Sequence, residues 1–322
     1  MHRHAKRNIC TLFVTILGLS LLVFCTNLTL LTSDQEDAYD SNICPKYPRN
    51  LVGTITPNLA DTSYKDLESR FTWLRTGGHY TPTGCKPRER VAILIPFRNR
   101  GNHLRILLNN LHPILYRQQL GYTIYVLKQA DEKPFNRGKL FNIGYKEAKK
   151  FNHTCFVFHD VDLIPENDKI LYGCVRSPMH LSRAVDTFNY KLPYKNMLGG
   201  VAAWKTREFE QVNGWSNLFV NWGGEDDDLS CRTIANKLSV FRFRNSVARY
   251  TMLKHRRTPV NTARHRQLKD SYTRYKIDER PLNKLKPFLE SFNVIHGRAG
   301  IINERCFRTW SPVKIIDKHL NL

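Results

Sequence analysis

Val91-Ala92-Ile93-Leu94-Ile95-Pro96-Phe97 is a continuous apolar run that ends in Arg98-Asn99-Arg100. A strand with one wet face alternates polar and apolar residues. A run without alternation is buried on both faces, as in a parallel sheet. His103-Leu104 then opens a helical spacing carried on by Leu107, Leu108 and Leu111. Strand, polar loop and helix make the first unit of a nucleotide-binding α/β sheet, whose ligands lie at the carboxyl ends of the strands. Arg98 and Arg100 stand at such an end, placed for a phosphate or a uracil carbonyl. Solvated loop arginines would read the same way.

Further units follow. Thr123 to Leu127 reads as a second strand. Phe135-Asn136-Arg137 precedes a helical face of Leu140, Ile143, Gly144 and Ala148. Arg137, near that helix start, can meet a phosphate or be a surface charge. Thr154 to Asp162 reads as a third buried strand ending in Asp160-Val161-Asp162. Residues two apart on a strand share a side, so the two carboxylates form a hard-oxygen site for a divalent cation on a diphosphate. A lone Asp-x-Asp is weak; one capping an apolar strand says more. Lys169 to Val175 reads as helical, Leu198 to Trp204 as a strand entered through Gly199 and Gly200, Phe209 to Asn213 as a short helix, and Ser239 to Phe243 as an alternating strand.

Trp222-Gly223-Gly224-Glu225-Asp226-Asp227-Asp228 is the densest charge in the chain. Four adjacent carboxylates repel, and desolvating them costs several kcal/mol each unless they are paired. Glycines allow close ligand approach, and tryptophan offers a flat face with one N–H for a sugar or a diphosphate oxygen. Leu229, Cys231 and Ile234 suggest a helix starting inside the run, where negative charge suits the dipole. A solvated helix start is the bland alternative. Met252-Leu253-Lys254-His255 is the last candidate. His255 can add nitrogen to the metal begun by the aspartates, and Met252 a soft sulfur that favours manganese over magnesium. Taken alone, Met252 reads as core and His255 as surface.

The 322-residue chain begins with Arg3, Lys6 and Arg7, followed by an uncharged apolar stretch from Asn8 to Ser33. Its length suits a membrane-spanning anchor over 9–31 better than a cleaved signal peptide. The basic side marks 1–8 as a cytosolic tail. A polar, acidic stem over 32–43 and a luminal domain over 44–322 follow, with loops and one short helix near Tyr64 to Arg75. Cys10 and Cys25 fall in the anchor. The six other cysteines form no CxxC pair, which argues against zinc and permits disulfides of open connectivity. Asn152-His153-Thr154 is a glycosylation sequon; Asn27-Leu28-Thr29 lies in or against the membrane. The net charge is +22, which attracts anions such as nucleotide-linked substrates or nucleic acid. Luminal placement argues against nucleic acid.

Phe97-Arg98-Asn99-Arg100, Phe135-Asn136-Arg137, Phe158 to Asp162, Trp222 to Asp228 and Met252 to His255, in that order, resemble the beta-1,4-galactosyltransferase family over about residues 44 to 310. The resemblance implies a GT-A fold: a Rossmann-like, nucleotide-sugar-binding mixed sheet behind one transmembrane helix, in a single-pass type II Golgi membrane protein. It implies a UDP-sugar donor, Mn2+, and transfer to a GlcNAc-terminated glycan with inversion. By position, Pro96, Phe97, Arg98, Arg100, Phe135, Arg137, Val161 and Trp222 would bind the donor. Asp162, Met252 and His255 would be the metal ligands, with Asp160 supporting them. Asp226 would be the general base, with Glu225 and Asp227 orienting sugars and Gly223 and Gly224 lining the acceptor side. Cys44 would pair with Cys85 and Cys155 with Cys174. Asn217 to Gly224 would be a mobile loop and Arg256 to Arg280 a second lid.

Three positions depart from the family. Met197 stands where galactosyltransferases generally carry tyrosine, two residues before Gly199-Gly200. An unbranched methionine leaves room for an N-acetyl group beside the sugar's C2, which implies UDP-GalNAc as donor, with UDP-galactose the alternative. Asn221 replaces a common glycine, and Thr187 stands where a lysine often faces the diphosphate. A weakly catalytic subunit of a membrane complex is the rival reading; intact Asp160, Asp162, Glu225, Asp226 and His255 argue against it. A homodimer or a membrane partner protein stays open, as does a glycoprotein or glycolipid acceptor.

Overall fold

The computed structural model describes residues 42–274, apart from 76, 130 and 257, together with strands at 293–295 and 314–318. The expected tail, the anchor, nearly all of the stem, Cys10, Cys25, Asn27, Cys306 and the last part of the second lid lie outside the described residues. Among the described residues no helix is long and apolar enough to cross a membrane.

The unit from Cys44 onward begins with α1 (Tyr64–Arg70), β1 (His79–Tyr80), β2 (Arg90–Phe97), α2 (Gly101–Arg117), β3 (Gly121–Gln129), α3 (Arg137–Lys149) and β4 (Cys155–His159). It continues with β5 (Leu163–Pro165), β6 (Met179–His180), β7 (Ala184–Val185), β8 (Val201–Lys205), α4 (Thr206–Gln211), α5 (Glu225–Ala235), β9 (Arg249–Met252), α6 (Arg264–Arg274), β10 (Asn293–Ile295) and β11 (Lys314–Lys318). The main sheet runs β10-β11-β3-β2-β4-β8-β6, with β1 also on β3. β2 is parallel to β3 and β4, while β4–β8 and β8–β6 are antiparallel. The sheet is therefore mixed, and helices cover both faces.

The unbroken apolar run of β2 follows from that sandwich. Val91, Ile93 and Ile95 pack with Leu104, Leu107, Leu108 and Leu111 of α2, whereas Ala92 and Leu94 pack with Leu140, Phe141 and Ile143 of α3. Each buried Val, Leu, Ile or Phe among them contributes roughly 1.5–3 kcal/mol by leaving water. α3 starts where the Asn136 side chain accepts the Lys139 N–H, 2.9 Å away, which satisfies one orphan donor of the first turn.

Several expectations are corrected. β4 stops at His159, and Asp160-Val161-Asp162 forms the following turn, so the same-side argument for the two aspartates does not apply. Residues 169–175 are not helical. The Gln118 side chain donates to the carbonyls of Asp168 and Ile170 and accepts from Tyr172 N–H, while Cys174 is bonded to Cys155. Side chains thus replace a helix ladder there. Residues 239–243 form only a bridge, Phe241 to Met179, and the helix expected at 209–213 covers Thr206–Gln211. Both implied disulfides, Cys44–Cys85 and Cys155–Cys174, are present. Glu89 lies close to the latter pair, but sulfurs bonded to each other cannot ligate a metal.

Candidate active site

A small second sheet, β5–β9–β7, assembles the metal candidates. β5 runs antiparallel to β9 with Leu163 opposite Met252, and Leu253 N–H donates to the Asp162 carbonyl at 2.8 Å. This register sets the turn carrying Asp162 beside the end of β9 carrying Met252 and, three residues on, His255. The His255 Nε2 and Asp162 Oδ2 atoms are 3.0 Å apart. Adjacent ligand atoms of an octahedral site with bonds of about 2.1 Å stand roughly 3 Å apart, so these two fit one cation. Met252 Sδ, an adaptable soft donor, accepts from Thr187 Oγ1 at 3.6 Å. Arg100 donates to Asp162 at 3.0 Å, and its Nη2 lies 3.0 Å from His255 Nδ1, which also stands 2.8 Å from the Arg256 carbonyl. Burial opposes the Asp162 charge, but His255 and Arg100 outweigh it and hold its pKa below the usual carboxylate range.

Arg137 is the centre of the second group. Its guanidinium lies near the Phe141 and Trp215 rings, 4.9 and 5.0 Å from their centroids. It donates to Asp160 at 2.6 Å and Asp226 at 2.7 Å, and stands 3.7 Å from Glu225. One cation thus faces three carboxylates. Burial pushes the Asp160 pKa up to about 6 against the pull of Arg137. Burial, with Asp226 beside it, pushes Glu225 up to about 7. Among the described residues the buried Glu225 Oε2 has no hydrogen-bond partner.

The turn before α5 delivers these acids. Gly223 and Gly224 have φ of +109° and +103°, a region that favours glycine. A Cβ on Gly224 would stand 2.6 Å from the Phe219 ring. The acidic run is the first turn of α5, as the sequence suggested, but its faces differ from expectation. Leu229 is buried, while Cys231 and Ile234 are exposed. Buried Asp228 pairs with Arg232, whose Nη1 reaches the carbonyls of Val212 and Gly214. Asp227 accepts from Tyr194 Oη at 2.7 Å.

The remaining candidates sit around these groups. Pro96 and Phe97 end β2. Arg98 lies over the Phe135 ring at 5.2 Å and donates to the Lys133 carbonyl. The Val161 side chain is core. Trp222 is 59% exposed, and its ring contact is Arg264 of α6, not the carboxylates; its backbone pairs with Val260. Half-buried Met197 lies two residues before Gly199, and a Cβ on Gly199 would collide with the Asp226 carboxylate. Asn152 is exposed in the turn after α3. Sequence reading assigned nothing to Tyr194, His180 or Arg242, because single polar residues in loops carry no periodic signal.

Comparison with known proteins places the chain among transferases. The family described as the N-terminal region of glycosyl transferase group 7 matches residues 44–175. The one described as the N-terminal domain of galactosyltransferase matches residues 179–256. The chain is 44% identical over 214 residues to a Lymnaea stagnalis beta-N-acetyl-D-glucosaminide beta-1,4-N-acetylglucosaminyl-transferase, covering 66% of this chain and 44% of that protein. It is 48% identical over 243 residues to mouse beta-1,4-galactosyltransferase 4, covering 73% and 70%. The chain thus spans less than half of the snail protein's length. The catalytic domain of Drosophila beta-1,4-galactosyltransferase 7, solved with xylobiose, superposes with a TM-score of 0.58 at 26% identity, covering 73% of this chain and 95% of that one. A mutant of it, solved with manganese, UDP-Gal and xylobiose, superposes with a TM-score of 0.54 at 25% identity.

Proposed function

Because this chain belongs to the beta-1,4-galactosyltransferase family, glycosyltransferases of GT-A fold, we propose that it moves N-acetylgalactosamine from UDP-GalNAc to a terminal beta-N-acetylglucosamine in a beta-1,4 linkage. The observation that carries the reading is the seating of Asp226. Its carboxylate is held by Arg137 and lies against Gly199, two residues from Met197. A proton acceptor and the residue set to meet the sugar's C2 group thereby share one short wall.

Asp226 takes the proton of the acceptor hydroxyl as its oxygen bonds to the anomeric carbon from the face opposite the diphosphate. The bond from that carbon to the diphosphate oxygen breaks, UDP departs, and the configuration inverts. Arg137 fixes the direction of Asp226 and Asp160. The free oxygen of Glu225 is available to a donor-sugar hydroxyl, and Asp227, set by Tyr194, to the acceptor. Arg98 and Phe135 stack together where a uracil would lie at the end of β2. Asp162, His255 and Met252 would hold manganese, which when bound would neutralise charge growing on the departing diphosphate. The Drosophila relative solved with manganese and UDP-Gal supports that donor class. The snail relative, by its name, transfers an N-acetylated sugar, which supports an acetyl group beside Met197. A type II Golgi anchor over 9–31 and a glycan on Asn152 complete the proposal.

Donor choice tests it. The full-length chain is assayed with Mn2+ and a GlcNAc-terminated acceptor, comparing UDP-GalNAc with UDP-Gal, and again as Met197→Tyr. The expected result is preference for UDP-GalNAc that swings toward UDP-Gal in the variant. One pocket contact is worth about 10- to 200-fold in such discrimination. Preference for UDP-Gal in the unaltered chain would overturn the donor assignment and leave a galactosyltransferase.

A further inference from the structure

Arg242 and His180 stand behind the site, outside the roles assigned so far. Arg242 is half-buried, and among the described residues no carboxylate pairs with it. A guanidinium withdrawn from water is costly unless its donors are used. Here Nη2 donates to the Met197 carbonyl at 2.8 Å, and Nε donates to His180 Nδ1 at 3.1 Å. Arginine has no acceptor, so Nδ1 carries no proton and the ring's proton is on Nε2. That N–H donates to the Gly199 carbonyl at 2.9 Å. His180 is fully buried, and burial pushes its pKa down to about 3, so the ring stays neutral and the tautomer holds.

The two side chains are themselves anchored. His180 N–H donates to the Phe241 carbonyl at 2.9 Å, and Phe241 N–H donates to the Pro178 carbonyl at 3.0 Å. The segment they hold is pinned along its length. Ser230 Oγ donates to the Asn196 carbonyl, Ser182 Oγ to that of Gly199, and Asp160 N–H to that of Gly200. Within it, one guanidinium sets both ends of Met197-Leu198-Gly199, one end directly and the other through the imidazole.

We propose that Arg242 and His180 are positioning residues for donor recognition, fixing the spacing between the Met197 side chain and the Asp226 carboxylate that lies on Gly199. The inference rests on the donor reading given above. A role in folding alone would weaken every activity together. Positioning moves the sugar-dependent part and spares the nucleotide.

The full-length chain and three variants, Arg242→Lys, His180→Leu and His180→Gln, would be compared. A lysine keeps the charge but cannot serve two fixed acceptors as the planar fork does. Glutamine retains an N–H for the Gly199 carbonyl; leucine does not. Two quantities are read: the UDP-GalNAc to UDP-Gal ratio of kcat/KM, and the affinity for UDP alone by calorimetry. Arg242→Lys and His180→Leu should shift the donor ratio by about tenfold, the scale of a single pocket contact, with UDP affinity unchanged. His180→Gln should recover most of the ratio. If His180→Leu does not fold, Arg242→Lys decides. A donor ratio equal to that of the unaltered chain, or equal losses with both donors, would overturn the positioning role. An unaltered chain that transfers neither sugar would overturn the functional reading instead, and the pocket argument with it.

Discussion

Gly199 and Glu225 show how single residues trade stability against chemistry. Gly199 must lack a side chain because the Asp226 carboxylate occupies the place of a Cβ. Gly199→Ala would therefore push the Asp226 carboxylate, the proposed base, off Arg137 or lift the Met197 wall. A displacement of about 1 Å at a reacting group can cost on the order of 100-fold. We expect that loss in kcat, with a melting temperature close to the original; full activity would show that Asp226 need not lie there. Glu225 is strained electrostatically rather than sterically. Its folded pKa is about 7 against an ordinary 4.5. Folding therefore favours the protonated form, so this group's contribution is intact below the unfolded value and is lost as pH rises from there through 7. Thermal melts from pH 5 to 8 should show the native protein losing stability that Glu225→Gln keeps, with the variant melting higher at pH 8 and transferring poorly. Parallel pH curves for the two proteins would refute this.

Helix α5 was legible as an element and misread in its faces. The acidic run and the glycines before it announced the start. Apart from Leu229, the buried side is polar: Asp228 and Arg232 are 1% and 8% exposed in their side chains. Arg232 also serves two carbonyls ahead of the helix, so the helix docks through an ion pair that a search for apolar spacing passes over. Removing one partner of a buried pair strands the other charge, at a cost of about 3–5 kcal/mol. Arg232→Met should lower the urea midpoint accordingly, and adding Asp228→Leu should restore part of it; an additive double variant would deny the coupling. β2, β3 and β4 were readable for the opposite reason, since strands covered on both faces carry unbroken apolar runs at their centres. Asp160 and Asp162 were found but placed on a strand, because the turn after His159 is set by pairing with residues some ninety positions on. The two- to four-residue strands of the second sheet are too short for any periodic signal.

At the scale of the molecule the site is a junction of two sheets, and that arrangement predicts how a metal couples to folding. The main sheet supplies Pro96, Phe97 and, through the turn after β4, Asp162; the small sheet supplies Met252 and positions His255. Arg100 lies against both Asp162 and His255, so a cation held by those two would share or displace that guanidinium. A ligand that binds only the folded chain stabilises it by RT ln(1 + [L]/Kd), about 2.7 kcal/mol at a hundredfold excess over Kd. Mn2+ with UDP should accordingly raise the melting temperature of the native protein. Asp162→Asn should abolish the part of the rise that depends on metal while leaving any shift from UDP alone. If manganese is preferred, Met252→Leu should narrow that preference over magnesium, since the thioether is the softest donor of the set. A manganese-dependent rise that survives Asp162→Asn unchanged would remove that carboxylate from the binding set. The turn after β4 would then join the two sheets for structural reasons alone.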